Sequence, residues 1–206
     1  MTATHATESI DLPAPGTWRI DPGHTEVGFM GRHFMLTKVR GRFTGVTGTI
    51  TLGERPEDAA VDVTIDMATV TSGDDTRDDH LRSADLFDVA AHPTATFRST
   101  DVRWHGQTGQ TGTTGTTGEM TGDLTIKGVT RPVTLAVDYL GHVRDPWGSD
   151  RAIFSASGRV NREDWGVTWN MPLETGGLLV SKEIDLTLEI EAVHEPDPAV
   201  TTDATS

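Results

Sequence analysis

The sequence predicts an all-β protein, built as a β-sandwich or a β-barrel, and two observations support this prediction. Apolar and polar residues alternate along several segments, which is the period of a strand with one buried face. The 206 residues also include 22 Gly and 10 Pro, which favour turns, and many Thr, which favour strands. Only 35% of the residues are hydrophobic, a low share that suits sheets with one face in water.

Five segments show the alternation most clearly, and four more show it weakly. In the first, Val27, Phe29, Gly31 and His33 share one face of a strand. The other clear segments are 61–67, 133–139, 152–160 and 184–190, and the weaker ones are 18–21, 39–52, 97–104 and 119–126. Two segments lack this period: 75–83 predicts one short helix or two turns, and 162–165 predicts a second helical turn.

The chain is expected to form one β-domain over residues 16–193. Residues 1–15 and 194–206 are polar and rich in Thr or Pro, so we interpret both as flexible tails. Residues 106–118 read GQTGQTGTTGTTG, with Gly at every third position but none of the Pro that a collagen helix needs. This stretch predicts a flexible Gly/Thr loop between two strands.

Charge and composition exclude several classes of function. The net charge of -14 argues against binding to a nucleic-acid backbone and against docking on an anionic membrane surface. Cysteine is absent, which excludes disulfides, a thiolate nucleophile and Cys-ligated metals. No apolar run has the length of a membrane span, and the first residues lack the pattern of a secretory signal. We therefore expect a cytoplasmic protein without an integral membrane segment.

Acidic residues cluster at the expected helix, where Asp74, Asp75, Asp78, Asp79 and His80 lie close in sequence. Carboxylate oxygens suit calcium or magnesium, but the Gly and the terminal Glu of a calcium loop are missing. Acidic residues also favour the first turn of a helix through its dipole, and we prefer this interpretation to a metal site.

Other residues that could carry chemistry are isolated. The sequence has no HExxH or HxxxH spacing, no GxSxG elbow and no phosphate-binding glycine motif. His24 follows a Pro-Gly turn and either closes that turn with a hydrogen bond or lies near a cavity mouth. His33 lies on the face of Val27 and Phe29, where a buried imidazole needs a partner from the protein, from water or from a ligand.

Aromatic residues are spread along the whole chain. Spread aromatics usually fill a core, but in a barrel the same inward face can line an apolar cavity. The sequence alone does not distinguish a filled barrel from a hollow one.

Several segments form an ordered set of motifs over about residues 17–192. They are WRIDPGHTEVGF at 18–29 with the following His33, VRGRF at 39–43, DDHLRSADLFD at 78–88, GDLTIKGVT at 122–130 and REDWG at 162–166. Taken together and in this order, they resemble the YceI-like (polyisoprenoid-binding) family. Three features depart from the family pattern: Thr25 stands where Ser is usual, Leu86 replaces the first residue of a Phe pair, and residues 106–118 look like an insertion. Many relatives also carry a signal peptide.

The resemblance implies an extended eight-stranded antiparallel barrel of lipocalin-like shape with one or two short helices. It further implies an elongated apolar cavity for a polyisoprenoid, an isoprenoid quinone or precursor, or a fatty acid or amide. The net charge of -14 disfavours a diphosphate head group unless local arginines offset it, so the sequence favours a neutral quinone or prenyl head group. The family has no established catalytic residues, so we expect a non-enzymatic lipid binder without cofactor or metal, and a homodimer is compatible with the resemblance.

The candidate ligand-binding residues follow from that cavity. The apolar ones are Phe29, Phe43, Phe87, Phe97, Phe154 and Trp165. The candidates for polar contacts to a head group are His24, His33 and His80. Two alternatives stay open: a filled barrel that acts as an interaction or stress protein, and a lipid-modifying enzyme that uses the His/Asp segment 78–92 for acid–base chemistry.

Overall fold

The computed structural model describes residues 12–110, 113–173 and 177–195 and is built from β-strands. The strands are β1 Gly16–Ile20, β2 Glu26–His33, β3 Thr37–Phe43, β4 Val46–Leu52, β5 Ala60–Asp66, β6 Val70–Thr71, β7 Thr94–Gln110, β8 Thr113–Ile126, β9 Val129–Arg144, β10 Asp150–Asn161 and β11 Glu183–Glu195. Within these described ranges, one α-helix, α1, spans Asp75–Arg82, and short 3₁₀ turns cover Pro56–Asp58, Met67–Thr69 and Arg162–Trp165. The predicted helix and the predicted turn at 162–165 are both confirmed.

The strands form a closed, eight-stranded antiparallel barrel. Each strand pairs with its neighbour in the order β1-β4-β5-β7-β8-β9-β10-β11, and β11 closes the ring by pairing with β1. The other three strands extend the barrel at one end: β2 pairs with the first half of β11, β3 with β2, and β6 with β3. Three of the eight barrel strands are therefore interrupted once and consist of two segments each: β1 and β2, β3 and β4, and β5 and β6. The expected eight-stranded antiparallel barrel is confirmed.

The two ends of the barrel differ in packing. At the end near β1 and the β9–β10 turn, Trp18, Ile20, Tyr139, Ala152 and Ala192 are almost completely buried, and we call this the closed end. The other end carries α1, the β2–β3 turn and the segment that follows Trp165, and we call it the helical end. Asp74 caps α1 by accepting from the Arg77 N–H at 2.9 Å.

The predicted flexible loop at 106–118 is wrong in its secondary structure. Residues 106–110 of β7 pair with residues 113–117 of β8, so this stretch forms the outer part of a long hairpin. Backbone pairing with the preceding strand extends the ladder through the Gly/Thr repeat, and its Thr residues tolerate that conformation.

The predicted tail boundaries also shift. Residues 1–11 and 196–206 lie outside the described residues, so the expectation for them is not addressed. Within the described part, Leu12 packs against the core, and the Trp18 indole donates to the Ala14 carbonyl at 3.0 Å. At the other end, His194 and Glu195 belong to β11 and pair with β1. The ordered domain therefore extends beyond 16–193 on both sides.

Candidate functional site

The barrel encloses an apolar cavity of about 410 Å³. Its walls are the inward faces of the strands, and they consist almost entirely of Val, Ile, Leu, Met and aromatic side chains. For comparison, an engineered cavity of about 150 Å³ already admits benzene. The volume lies within the range of pockets that bind small ligands, about 300–1,000 Å³.

The alternating pattern of the sequence explains the apolar wall. On β11, Ile184, Leu186, Leu188 and Ile190 all line the cavity, while the residues between them point outward. Inward positions of β5 and of β9 contribute in the same way. A strand whose pattern slipped by one residue would turn polar side chains into the cavity.

Seven of the nine candidate ligand-binding residues do line the cavity. These are Phe29, His33, Phe43, His80, Phe87, Phe97 and Trp165. The Phe43 ring lies 5.5 Å from the Phe29 ring and 5.7 Å from the Phe87 ring, measured between centroids, so the three form one aromatic wall. Trp165 is fixed by a hydrogen bond of 2.9 Å from its indole N–H to the Leu124 carbonyl.

The assignment of Phe154 to the cavity lining is wrong. Phe154 is 4% exposed and packs with Tyr139 at the closed end, with 5.3 Å between the ring centroids. Its side chain does face inward, as the alternation predicts. The alternation does not report how far along the barrel axis a residue lies, and at this depth the interior is filled.

The assignment of His24 to the cavity is also wrong. Its Nδ1 lies 2.9 Å from an oxygen of Asp21 in the exposed turn after β1, which is the turn-closing contact. Glu191 lies close by, and Arg151 donates to both Asp21 and Glu191. This guanidinium, with help from His24, lowers the pKa of Asp21 to about 2. The site therefore holds an arginine where these groups could have held a metal ion.

The acidic cluster at α1 supports the helix rather than a metal site. Asp78 is 4% exposed and accepts from the Ser72 N–H at 2.7 Å and from the Ser72 hydroxyl. These hydrogen bonds lower the pKa of Asp78 against the opposing effect of its burial, which is the largest single effect. Asp75 and Asp79 are exposed. Among the described residues, they and His80 do not come together as a set of metal ligands.

The polar residues of the cavity lie at the helical end, and the charged ones are all basic. They are Arg32, His33, Ser72, Arg77, His80 and Arg162. No Asp or Glu belongs to the lining among the described residues. The His80 and Trp169 rings pack edge to face, with 4.4 Å between their centroids. The Nε2 of His80 lies 3.4 Å from a carboxylate oxygen of Asp85, which is outside the cavity.

Arg162 is the most deeply buried of these basic residues, with 8% of its surface exposed. Its Nε donates to the Ser181 carbonyl at 3.0 Å, and its Nη1 donates to the Val167 carbonyl. Its Nη2 has no hydrogen-bond partner among the described residues. The neighbouring Glu163 is bound to Lys182 at 2.8 Å. Burial lowers the pKa of Arg162, and the charge of Glu163 offsets this effect in part.

Reasoning from the sequence missed Arg162 and Arg77 as cavity residues. Arg162 belongs to the REDWG segment, but its inward position depends on carbonyls at 167 and 181, which come from the segment after the strand. The only available signal was an arginine directly after an inward apolar strand.

None of the helices in the described part of the chain is long and apolar enough to cross a membrane.

Comparisons with known proteins agree with this geometry. The model of the YceI-like domain matches residues 18–192. The chain belongs to the YceI-like family. It is 37% identical to protein YceI of Escherichia coli O6:H1 over 173 residues, which cover 84% of this chain and 83% of that protein.

Two solved structures superpose on the barrel of this chain over most of their length. BcnA of Burkholderia cenocepacia superposes with a TM-score of 0.68 at 21% identity, over 84% of this chain and 98% of that one. A polyisoprenoid binding domain from Saccharophagus degradans superposes with a TM-score of 0.64 at 14% identity, over 88% of this chain and 100% of that one. At these identities the likeness concerns the fold.

Proposed function

We propose that this YceI-like chain binds one long-chain lipid inside its barrel and acts without catalysis. The observation that carries the proposal is the enclosed apolar cavity of about 410 Å³. The ligand class is a polyisoprenoid, an isoprenoid quinone or precursor, or a fatty acid. The polyisoprenoid binding domain from Saccharophagus degradans, which has the same fold, supports this class.

The apolar walls can supply the affinity by themselves. Burial of one methylene group is worth about 0.8 kcal/mol, so a five-carbon isoprene unit gains about 4 kcal/mol before other costs. Association and ordering of the chain offset part of this gain, so several units are needed for tight binding.

We further propose that the ligand is an acidic member of this class, such as a fatty acid, and that its head group binds at Arg162. A buried guanidinium without a counter-ion is costly, because its charge has left water and two carbonyl hydrogen bonds do not neutralise it. Nη2 of Arg162 offers unused N–H donors, and the other charged residues of the cavity are basic as well. A carboxylate or a phosphate would supply the missing charge through charge-assisted hydrogen bonds.

The two alternatives have less support. A filled barrel conflicts with the cavity volume. An enzyme needs an acid–base pair that faces the substrate, but His33 and His80 have no carboxylate partner among the described lining residues.

The first test is an organic extract of the natively purified protein, analysed by mass spectrometry beside an unrelated barrel purified in parallel. We expect a stoichiometric long-chain species in this protein alone. An empty extract, together with no binding of long-chain fatty acids in titrations of the delipidated protein, would refute lipid binding.

A second test addresses the head group by comparing hexadecanoic acid with its methyl ester. Arg162→Met should weaken binding of the acid about 10- to 100-fold, since a hydrogen bond to a charged group is worth about 1.5–3 kcal/mol. Binding of the ester should change far less. Arg159→Met is the matched control, because Arg159 lies on β10 with its guanidinium on Asp185 at 2.5 Å and outside the cavity. An equal loss for acid and ester would contradict the anchor but leave lipid binding intact.

A further inference from the structure

The turn between β2 and β3 exposes three apolar residues at the helical end of the barrel. Phe34 is 49% exposed, Met35 51% and Leu36 78%. Met171, 53% exposed, is connected to the turn through Leu179: the Phe34 N–H donates to the Leu179 carbonyl, and the Leu179 N–H donates to the Met171 carbonyl. We call Phe34, Met35, Leu36 and Met171 the apolar tip.

The turn holds these large side chains in an unfavourable backbone conformation. The Leu36 N–H donates to the His33 carbonyl at 3.0 Å, which closes a tight turn within the three-residue loop between the paired residues His33 and Thr37. Its central residues Phe34 and Met35 have φ of 52° and 62°. Turns with positive φ at both central positions favour Asn-Gly, because a larger side chain crowds the backbone there. The chain thus places two bulky apolar residues where its own geometry favours small polar ones.

Basic residues flank the apolar tip in an otherwise acidic chain. Residues 32–42, RHFMLTKVRGR, contain four basic residues and no acidic one, while the whole chain carries a net charge of -14. Arg32, Lys38 and Arg40 are exposed, and none of them forms an ion pair in the described part of the chain. The positive charges of Arg32 and Lys38 contribute to lowering the pKa of Asp185, but the carboxylate of Asp185 is paired with Arg159. The whole-chain charge hides this local excess.

The apolar tip borders the point at which the cavity meets solvent. Arg32 is exposed and also lines the cavity, so the cavity reaches the surface beside the turn. His33 and Val180, which pair with each other across the base of the turn, line it as well.

We propose that the apolar tip inserts into the surface of an anionic lipid bilayer and brings the cavity mouth against the membrane. Apolar side chains enter the interfacial region, and basic side chains bind the anionic head groups around them. The acidic remainder of the protein is repelled, so the same charges orient the barrel with its helical end toward the membrane. Trp147, 86% exposed at the closed end, has both Arg144 and Asp145 near it and lacks this one-sided charge.

Co-sedimentation of the full chain with vesicles tests the proposal. The vesicles contain 30 mol% phosphatidylglycerol in phosphatidylcholine, and pure phosphatidylcholine is the comparison. The key variant, F34N/M35G, gives the turn its preferred residues and should fold at least as well as the original. Trp147→Ser removes an even more exposed apolar side chain at the closed end and is the matched control.

We expect the original protein and W147S to bind the anionic vesicles, and F34N/M35G to bind at least tenfold more weakly while its unfolding midpoint is unchanged or raised. Binding should also fall at 0.5 M salt, because screening weakens the basic contacts.

Unchanged binding of F34N/M35G, or loss of binding in W147S, would overturn the proposal. So would an original protein that ignores vesicles but turns from dimer to monomer on F34N/M35G, since the tip would then join two copies. Vesicle binding is read without a ligand in the cavity, so a failure here is separate from a failure of the lipid-binding proposal.

Discussion

Leucine substitutions at two alanines on β10 can distinguish a hollow barrel from a filled one. Ala152 and Ala156 both face inward and are 0% and 4% exposed. Ala156 lines the cavity, whereas Ala152 lies at the closed end, paired with Ala192, which in turn pairs with Ile20. Substitution by leucine adds the same three carbon atoms at both positions, so the surroundings alone decide the result.

The expected effects have opposite signs. At Ala156 the added carbons enter an empty apolar space, and at about 0.8 kcal/mol per methylene the delipidated protein should gain up to about 2 kcal/mol. At Ala152 the same carbons overfill a packed region, which typically costs about 1–3 kcal/mol. The ligand loses the occupied space, so Ala156→Leu should weaken binding of a long-chain fatty acid by about 30-fold, the equivalent of about 2 kcal/mol.

Urea unfolding of the delipidated variants measures the stability, and displacement of a fluorescent fatty-acid analogue measures the affinity. The reasoning is refuted if Ala156→Leu destabilises the protein as much as Ala152→Leu does. That result would mean that the space is filled in solution and that the barrel has no room for a lipid.

Three further predictions test the supports of the barrel. Arg151→Gln removes the partner of Asp21 and should cost about 2 kcal/mol in urea unfolding at pH 7, as expected for a carboxylate whose pKa is held near 2 instead of 3.8. Because this pKa is lowered on folding, the contribution is complete above about pH 4 and is lost as the pH falls toward 2. Asp21→Asn should therefore flatten the loss of stability between pH 4 and 2, and an unchanged acid-unfolding curve would show that the Arg151 contact adds nothing. Gly122→Ala should destabilise the β7–β8 ladder, because a Cβ there would lie 2.4 Å from the Phe97 ring and 2.6 Å from the Arg98 carbonyl; a circular-dichroism melt with no drop in midpoint would contradict this. Ser72→Ala should lower the melting temperature by leaving the buried Asp78 with one donor fewer, and a melt equal to that of the original would show that water replaces the hydroxyl.

The sequence predicted the barrel because its alternation persists in most strands. It also predicted seven of the lining residues, since each was inward or lay in a segment of the family pattern. It misplaced Phe154, because a period of two defines the face of a residue but not its depth along the barrel axis. It misjudged residues 106–118, because a Gly/Thr repeat has no apolar face to report, and backbone pairing alone makes it a hairpin.

Arg162 was missed for a different reason. The two carbonyls that hold its guanidinium come from residues 167 and 181, and the path of the chain between them is set by tertiary packing. The turn-closing contact of His24 with Asp21 was one of the two alternatives that the sequence offered, whereas the Arg151 contact to the same carboxylate comes from 130 residues away. Local pattern predicts strands and faces, whereas contacts of this kind depend on the closed barrel.

The position of the cavity mouth has a kinetic consequence for a lipid binder. A ligand that left through water would expose its chain, at about 4 kcal/mol for each isoprene unit and about 12 kcal/mol for three. Since each 1.4 kcal/mol on a barrier slows a step tenfold, release into water would be slower by about nine orders of magnitude than a route on which the chain stays in an apolar environment. A mouth bordered by Phe34, Met35 and Leu36 gives such a route once these residues lie in a bilayer. Transfer should then depend on vesicle concentration, because collision with the membrane and not escape into water limits the rate. The F34N/M35G variant should accordingly slow transfer while leaving the equilibrium affinity of the cavity unchanged.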